Sequence, residues 1–343
     1  MSCSTTALVV PNVDGKFELR EVYLNAIQPD EVLVEIHASG LCHTDLSCAE
    51  GILPCRPNAV LGHEGAGVVV SIGSDVTHVS PGDSVLLSFS HCERCPPCIT
   101  GHPAYCHSFN DRNFGGSRAD GTPAMLLEPN DPSTGIFSTF FGQSSFARHT
   151  LVHRSSVVKV PQGTDLALYA PMGCGMQTGA GAVLNALDVK PGSSVAVFGV
   201  GSVGMAAVMA AAKIRGARTV IAIDLQDSRL ELAKKLGATH GVNGGAKDVV
   251  EQIRKICPPV GVDYAVDCTG VPAVIRTMID CLGTKGRAAT VGAPGFGKCF
   301  IPFLMEAHRK GQFPMDEFIA YYDFKDYEKA IEDRSLARLS RLC

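Results

Sequence analysis

Ser194-Val-Ala-Val-Phe-Gly-Val-Gly-Ser-Val-Gly204 sets a run of strand-forming apolar residues directly before G-x-G-x-x-G, and the apolar residues that follow continue it as a helix. Glycines at these positions let the backbone turn tightly and approach a pyrophosphate at the helix N-terminus. There, free N–H groups and the helix dipole favour an anion. The next strand, Thr219–Asp224, ends in a carboxylate twenty residues past Gly204. A carboxylate there bonds the adenosine ribose hydroxyls and repels a 2′-phosphate. Gly199, Gly201, Gly204 and Asp224 are therefore candidate dinucleotide-binding residues, with NAD(H) favoured over NADP(H). A Gly-rich turn with no ligand is the bland alternative, and the strand–turn–helix–strand context counts against it.

Strands and helices alternate outward from this unit. The pattern predicts strands at Ser194–Phe198, Thr219–Asp224, His240–Asn243, Val262–Asp267 and Arg287–Val291. Helices are predicted at Val203–Arg215, Ser228–Leu236, Lys247–Ile256 and Pro272–Leu282. Such alternation implies a parallel, doubly wound sheet with helices on both faces. The uncharged stretch Pro191–Ala212 imitates a membrane span, but its glycines and the flanking Lys190 and Lys213 fit a strand, turn and helix better. Ile301–Lys310 and Asp326–Asp333 read as helices of a C-terminal segment. Before Tyr169 the chain is β-rich. Glu31–His37 alternates as a half-buried strand does, Gly65–Ser71 and Ser84–Ser88 read as further strands, and residues 107–135 read as a long surface loop.

Fourteen cysteines occur among the 343 residues. Cys92, Cys95, Cys98 and Cys106 lie within fifteen residues as C-x2-C-x2-C-x7-C, enough to saturate one tetrahedral Zn²⁺ as a structural site. Cys42, His63 and Cys174 are spread far wider, as the three ligands of a catalytic zinc with an open fourth position would be. Taken one at a time, His63 reads as readily as a core histidine and Cys174 as a small buried residue. Most of the remaining eight cysteines are expected to be buried hydrophobes. Many free thiols with no signal peptide at MSCSTTALVV fit a reducing compartment, here taken as the cytoplasm. A net charge of −4 gives no footprint for nucleic acid or an anionic membrane.

Cys42-His-Thr-Asp45, Gly62-His-Glu-Gly-Ala-Gly67, the four-cysteine lobe, Met172-Gly-Cys-Gly-Met-Gln-Thr-Gly179 and the strand–GVGSVG–Asp unit occur in that order. Over nearly its whole length the chain thereby resembles the zinc-containing medium-chain alcohol dehydrogenases, and within them the enzymes of aryl or allylic primary alcohols. The resemblance implies an α/β protein. A GroES-like catalytic domain would span residues 1–168, with a structural zinc lobe near 91–107. A Rossmann domain would span 169–298, and a segment at 299–343 would return to the catalytic domain. It also implies two zinc ions per chain, NAD, and hydride exchange with a primary aryl or allylic alcohol or aldehyde, of the kind found in specialised metabolism. Cys42, His63 and Cys174 match the catalytic zinc ligands, Asp45 a carboxylate orienting the ligand histidine, and Glu64 a carboxylate behind the metal. Thr44 matches the hydroxyl that takes the substrate proton. His43 matches a position facing the pyrophosphate, Thr178 one near the nicotinamide, and Arg229 one near the ribose. Ser88 takes a place near the substrate channel, and Phe89, Phe140 and Phe141 offer apolar walls.

Two departures from the family pattern stand out. Ser47 occupies the place of a relay histidine in some relatives, and serine is no base near neutral pH, so the last proton step goes to water. After Ala293, only seven residues precede the helix expected at Ile301. By comparison with the family, a strand-bearing block of roughly 25 to 30 residues is missing from the Rossmann sheet. Its loss leaves a sheet edge exposed near residue 294 and weakens the homodimer that the resemblance implies. Two other readings follow. One is an S-(hydroxymethyl)glutathione dehydrogenase-type enzyme, for which Arg112 and Arg118 would have to anchor the adduct's carboxylate. The other is a catalytically impaired zinc- and NAD-binding paralogue or splice form. Polyol dehydrogenases usually carry Glu where Cys174 stands.

Overall fold

The computed structural model describes residues 3–291, 304–305 and 308–335, which form two compact units. The first runs from the N-terminus to Cys174 and takes in the described residues from Ile319 onward. The second holds the described residues from Gly175 to Phe318.

The first unit is built on two antiparallel sheets. One is ordered His149–His153, Glu31–Ser39, Gly65–Ile72, Ser84–Leu87, Val157–Lys159. The other runs Ala59–Val60, Cys3–Val10, Glu18–Leu24, Met125–Leu126. Alternation along Glu31–Ser39 turns Val32, Val34 and Ile36 inward, against Val69, Val85, Leu87 and Val152. Ala330, in the helix Tyr327–Ser335, is buried in the unit's larger cluster with Leu8, Leu46 and Phe146, and Tyr322, Phe324 and Tyr327 pack around it.

The second unit is a parallel sheet ordered His240–Asn243, Thr219–Asp224, Ser194–Phe198, Val262–Asp267, Leu282–Thr290. This is the doubly wound arrangement that the alternation predicts. Ser194–Phe198, at its centre, is buried at every position, as a strand covered on both faces must be. Leu282–Thr290 is half-buried or exposed throughout and, among the described residues, pairs on one side only. It begins five residues before the predicted Arg287. The expected strand-poor stretch after Ala293, the missing block, and residues 301–303 and 306–307 of the predicted Ile301–Lys310 helix lie outside the described residues.

Residues 107–135 are not the plain surface loop that their Gly, Asp, Asn and Pro content predicts. They contain the helix Phe109–Phe114 and the strand Met125–Leu126, and they bury Asn113 and Arg118. Arg118 donates through Nε and Nη2 to the two Glu31 carboxylate oxygens at 2.7 and 2.8 Å, and to the Ala26 and Pro123 carbonyls. Both side chains of the pair are about 5% exposed, so the stretch is pinned by a bidentate ion pair invisible to local composition. Arg118→Ala strands Glu31 as a buried, uncompensated charge. It should lower the unfolding free energy by about 3–5 kcal/mol in a denaturant titration.

Candidate active site

The first unit gathers Cys42, His63 and Cys174 so that their ligand atoms all lie within 4.8 Å of one another. Three separate local structures deliver them. Cys42 caps the short helix His43–Ala49, His63 lies in the turn before the strand Gly65–Ile72, and Cys174 follows the turn Ala170–Gly173. Asp45, fully buried in the first turn of that helix, joins two of these structures. Its carboxylate accepts from Cys42 N at 2.9 Å, Gly62 N at 3.0 Å and His63 Nδ1 at 2.9 Å. Holding the proton on Nδ1 fixes the His63 tautomer and turns the Nε2 lone pair outward. His63 Nε2 is buried without a hydrogen-bond partner, while two sulfurs stand close by. Burial works against a charged His63 imidazole, but Asp45 and Cys42 outweigh it and hold the pKa well above the ordinary value. The pocket thus favours positive charge, and two sulfurs plus one imidazole are a donor set suited to Zn²⁺.

Glu64 is fully buried, and its Oε2 lies only 1.9 Å from where a Cβ on Gly40 would sit, so residue 40 has no room for a side chain. Thr44 is half-buried, its Oγ1 3.7 Å from the Cys42 sulfur. His43 is exposed on the same helix, and Ser47 is buried in it. Of the three phenylalanines expected as walls, Phe140 and Phe89 are buried, and Phe141 keeps some exposure. Phe141 stacks on the His63 ring with centroids 4.6 Å apart and planes 24° apart, and Phe140 meets the same ring edge-on at 5.4 Å. Phe109 and Phe114, not anticipated from sequence, pack edge-on against Phe141.

The sulfurs of Cys92, Cys95, Cys98 and Cys106 also converge within 4.8 Å, with no histidine among them. The Cys95 and Cys92 N–H groups donate to the Cys92 and Cys106 sulfurs, each at 3.3 Å, as suits thiolates. Burial pushes the Cys92 thiol up, yet the Arg94 and Cys95 N–H groups prevail and bring it down to about 6. Burial and the three neighbouring sulfurs push Cys98 up to about 12. A dication would satisfy all four sulfurs at once. Cys48, Cys257 and Cys281 are buried as expected, whereas Cys3 is exposed.

The second unit carries the predicted nucleotide-binding residues. Gly199 takes φ +79°, which favours glycine, at the turn leaving Ser194–Phe198. A Cβ on Gly204 would sit 2.0 Å from the Gly199 carbonyl, so the helix Ser202–Met209 packs tightly on the turn. Gly201, capping that helix, has open space where a Cβ would go, so a pyrophosphate could approach its backbone. Asp224 is buried, accepting from Val200 N at 2.9 Å and Gln226 N at 3.0 Å, with Arg229 Nη1 at 3.6 Å. Thr178 is half-buried in the helix Gly175–Gly181. Among the described residues, no helix is long and apolar enough to cross a membrane.

Residues 28–162 match the alcohol dehydrogenase GroES-like domain, and residues 202–332 match the zinc-binding dehydrogenase domain. A geraniol dehydrogenase of Castellaniella defragrans is 36% identical over 355 residues, spanning 96% of this chain and 94% of that protein. Since 96% of 343 residues is about 329, about 26 positions of that alignment carry no residue of this chain. The crystal structure of benzyl alcohol dehydrogenase from Acinetobacter calcoaceticus superposes with a TM-score of 0.93 at 39% identity, over 99% of both chains. An S-(hydroxymethyl)glutathione dehydrogenase of Paracoccus denitrificans is 35% identical over 81% of this chain and 75% of its own. Replacing Asp45 by Ala frees His63 to rotate and should weaken one of two bound zinc ions by about 10- to 100-fold, measured by chelator competition.

Proposed function

The chain belongs to the zinc-binding alcohol dehydrogenases, and from that premise we propose that it exchanges a hydride between NAD(H) and a primary aryl or allylic alcohol or aldehyde. The observation that carries this reading is the convergence of Cys42, His63 and Cys174, with Phe141 stacked on the His63 ring. Geraniol and benzyl alcohol, named for two similar proteins, are allylic and benzylic alcohols. A zinc ion held by the three ligands supplies Lewis-acid polarisation of the substrate oxygen, and the nicotinamide supplies the hydride carrier.

The chain's own residues do the rest. Asp45 orients His63, and Glu64 adds a second buried carboxylate behind the trio. Thr44 Oγ1, beside the Cys42 sulfur, takes the substrate proton. Ser47 is buried and is no base near neutral pH, so that proton leaves to water. The partly exposed Phe141, stacked on His63, adds apolar surface beside the trio, in keeping with an aryl or allylic substrate. Cys92, Cys95, Cys98 and Cys106 hold a second, structural zinc. Gly199, Gly201 and Gly204 would hold a pyrophosphate, Asp224 with Arg229 would take the adenosine ribose, and the family resemblance assigns His43 and Thr178 to the coenzyme.

We further propose a GroES-like domain at 1–168, a Rossmann domain at 169–298 and a C-terminal segment at 299–343, with a cytoplasmic setting in keeping with the buried free thiols. The block expected to be missing from the Rossmann sheet, by comparison with the family, agrees in size with the unmatched positions against the geraniol dehydrogenase. A homodimer is proposed with a reduced contact, because that block would contribute to it. The glutathione-adduct reading is disfavoured because Arg118 is spent on Glu31 and two carbonyls, and Arg112 Nη1 lies 3.3 Å from His153 Nε2.

Steady-state kinetics with NAD⁺ should give kcat/KM for benzyl and cinnamyl alcohols at least about tenfold above that for ethanol. Turnover of S-(hydroxymethyl)glutathione in preference to both would favour the rival. Two zinc ions and NADH binding without turnover of any aldehyde tested would favour an impaired paralogue. Removing the Asp224 charge, as in Asp224→Ser, should shift the NADP⁺-to-NAD⁺ preference by about tenfold or more toward NADP⁺.

A further inference from the structure

We propose that Gln143 and Ser88 are positioning residues that together fix the distance between His63 and Cys174. The proposal rests on reading Cys42, His63 and Cys174 as a metal site.

Gln143 is fully buried, and its side-chain amide bridges two segments. Nε2 donates to the His63 carbonyl at 3.0 Å and to the Ser88 carbonyl at 3.1 Å, while Oε1 accepts from Gly65 N at 3.0 Å. Both amide hydrogens and the oxygen are thus engaged. Ser88, also buried, extends the connection, since its Oγ donates to the Gly173 carbonyl at 3.0 Å, one residue before Cys174. A continuous path of hydrogen bonds therefore runs from the backbone of His63, through Gln143 and Ser88, to the backbone next to Cys174. The hydrogen bonds of this path all end on backbone atoms, so both residues would act through the ligands' backbone.

The loop bearing Gln143 is built around this task. Thr139, Phe141, Gly142 and Ser144 have φ of 67°, 51°, 68° and 52°. Three are not glycine, and such a run persists only where surrounding contacts over-determine it. The contacts are present. Ser144 Oγ donates to the Val60 carbonyl at 2.6 Å, Phe140 N donates back to Ser144 Oγ at 2.9 Å, and the Thr150 hydroxyl donates to the Gln143 carbonyl. Ser145 N and Phe146 N bond the Gly62 and Leu61 carbonyls at 2.9 and 3.0 Å. The same loop that seats Gln143 lays Phe141 on the imidazole. This gives Ser88 a role besides its expected place near the substrate channel, for its hydroxyl donates to the Gly173 carbonyl.

Zinc-loaded full-length protein and the variants Gln143→Leu, Ser88→Ala and Tyr322→Phe test the proposal. Each is titrated with a chelator while zinc per chain is measured, and the Co²⁺-substituted forms are compared by their thiolate-to-metal absorption. Gln143→Leu and Ser88→Ala should each release one of two metals about 10- to 100-fold more readily, with altered Co²⁺ absorption, while the other metal stays. Tyr322→Phe, which removes a hydroxyl that donates to Asp333 at 2.6 Å and takes no part in the path, should lower Tm and leave metal affinity unchanged. If Gln143→Leu does not fold, Ser88→Ala decides the matter alone. Wild-type metal affinity in Ser88→Ala and in any folded Gln143→Leu, with only Tm reduced, overturns the proposal. A wild-type chain that takes up a single metal overturns it together with the reading it rests on.

Discussion

A buried carboxylate with three donors aimed at it is the constraint on which the first unit's chemistry depends. Taking Asp45 out of water costs several kcal/mol unless its oxygens are bonded, and Cys42 N, Gly62 N and His63 Nδ1 supply those bonds. One side chain thereby holds the start of a helix against the turn before a strand, and it decides which imidazole nitrogen is free to bind a metal. Cys42 and His63 come together because their segments, about twenty residues apart, satisfy a single carboxylate.

The second unit uses backbone geometry where the first uses side chains. Its glycine turn has a positive φ at Gly199, room beside Gly201 and tight packing at Gly204, three different demands that the same residue type meets. Asp224 ties the turn to the next strand by accepting from Val200 N. A carboxylate has about four acceptor positions, so two backbone bonds leave capacity for ribose hydroxyls. Arg229, at 3.6 Å, offsets part of the Asp224 charge and softens the repulsion of a 2′-phosphate.

Much of this was legible in the chain itself. The strand Val262–Asp267 has its predicted bounds, and the central strands of the parallel sheet follow runs of β-branched and apolar residues. The four-cysteine lobe was readable because metal-ligand spacing is local. Cys42, His63 and Cys174 became convincing as a set only through their motifs in register. What escaped was whatever depended on long-range pairing. Arg118 lies in a turn-rich stretch, yet it is buried by a glutamate 87 residues away. Gln143 and Phe141 belong to a loop whose positive φ values no propensity predicts, since neither Thr139, Phe141 nor Ser144 prefers them. Leu282–Thr290 begins early because Leu282 pairs with Val262 across a bulge that composition does not announce, while regular pairing starts at the predicted Arg287, opposite Tyr264.

Two metal centres of different composition are proposed within one chain. Zinc K-edge X-ray absorption on the purified protein tests that most directly. Two such centres should give a mixed sphere averaging about three sulfurs per zinc at about 2.3 Å, with imidazole scattering and a light-atom shell at about 2.0 Å. A pure four-sulfur sphere without imidazole would contradict it, for it would leave His63, so carefully oriented by Asp45, with no metal to bind.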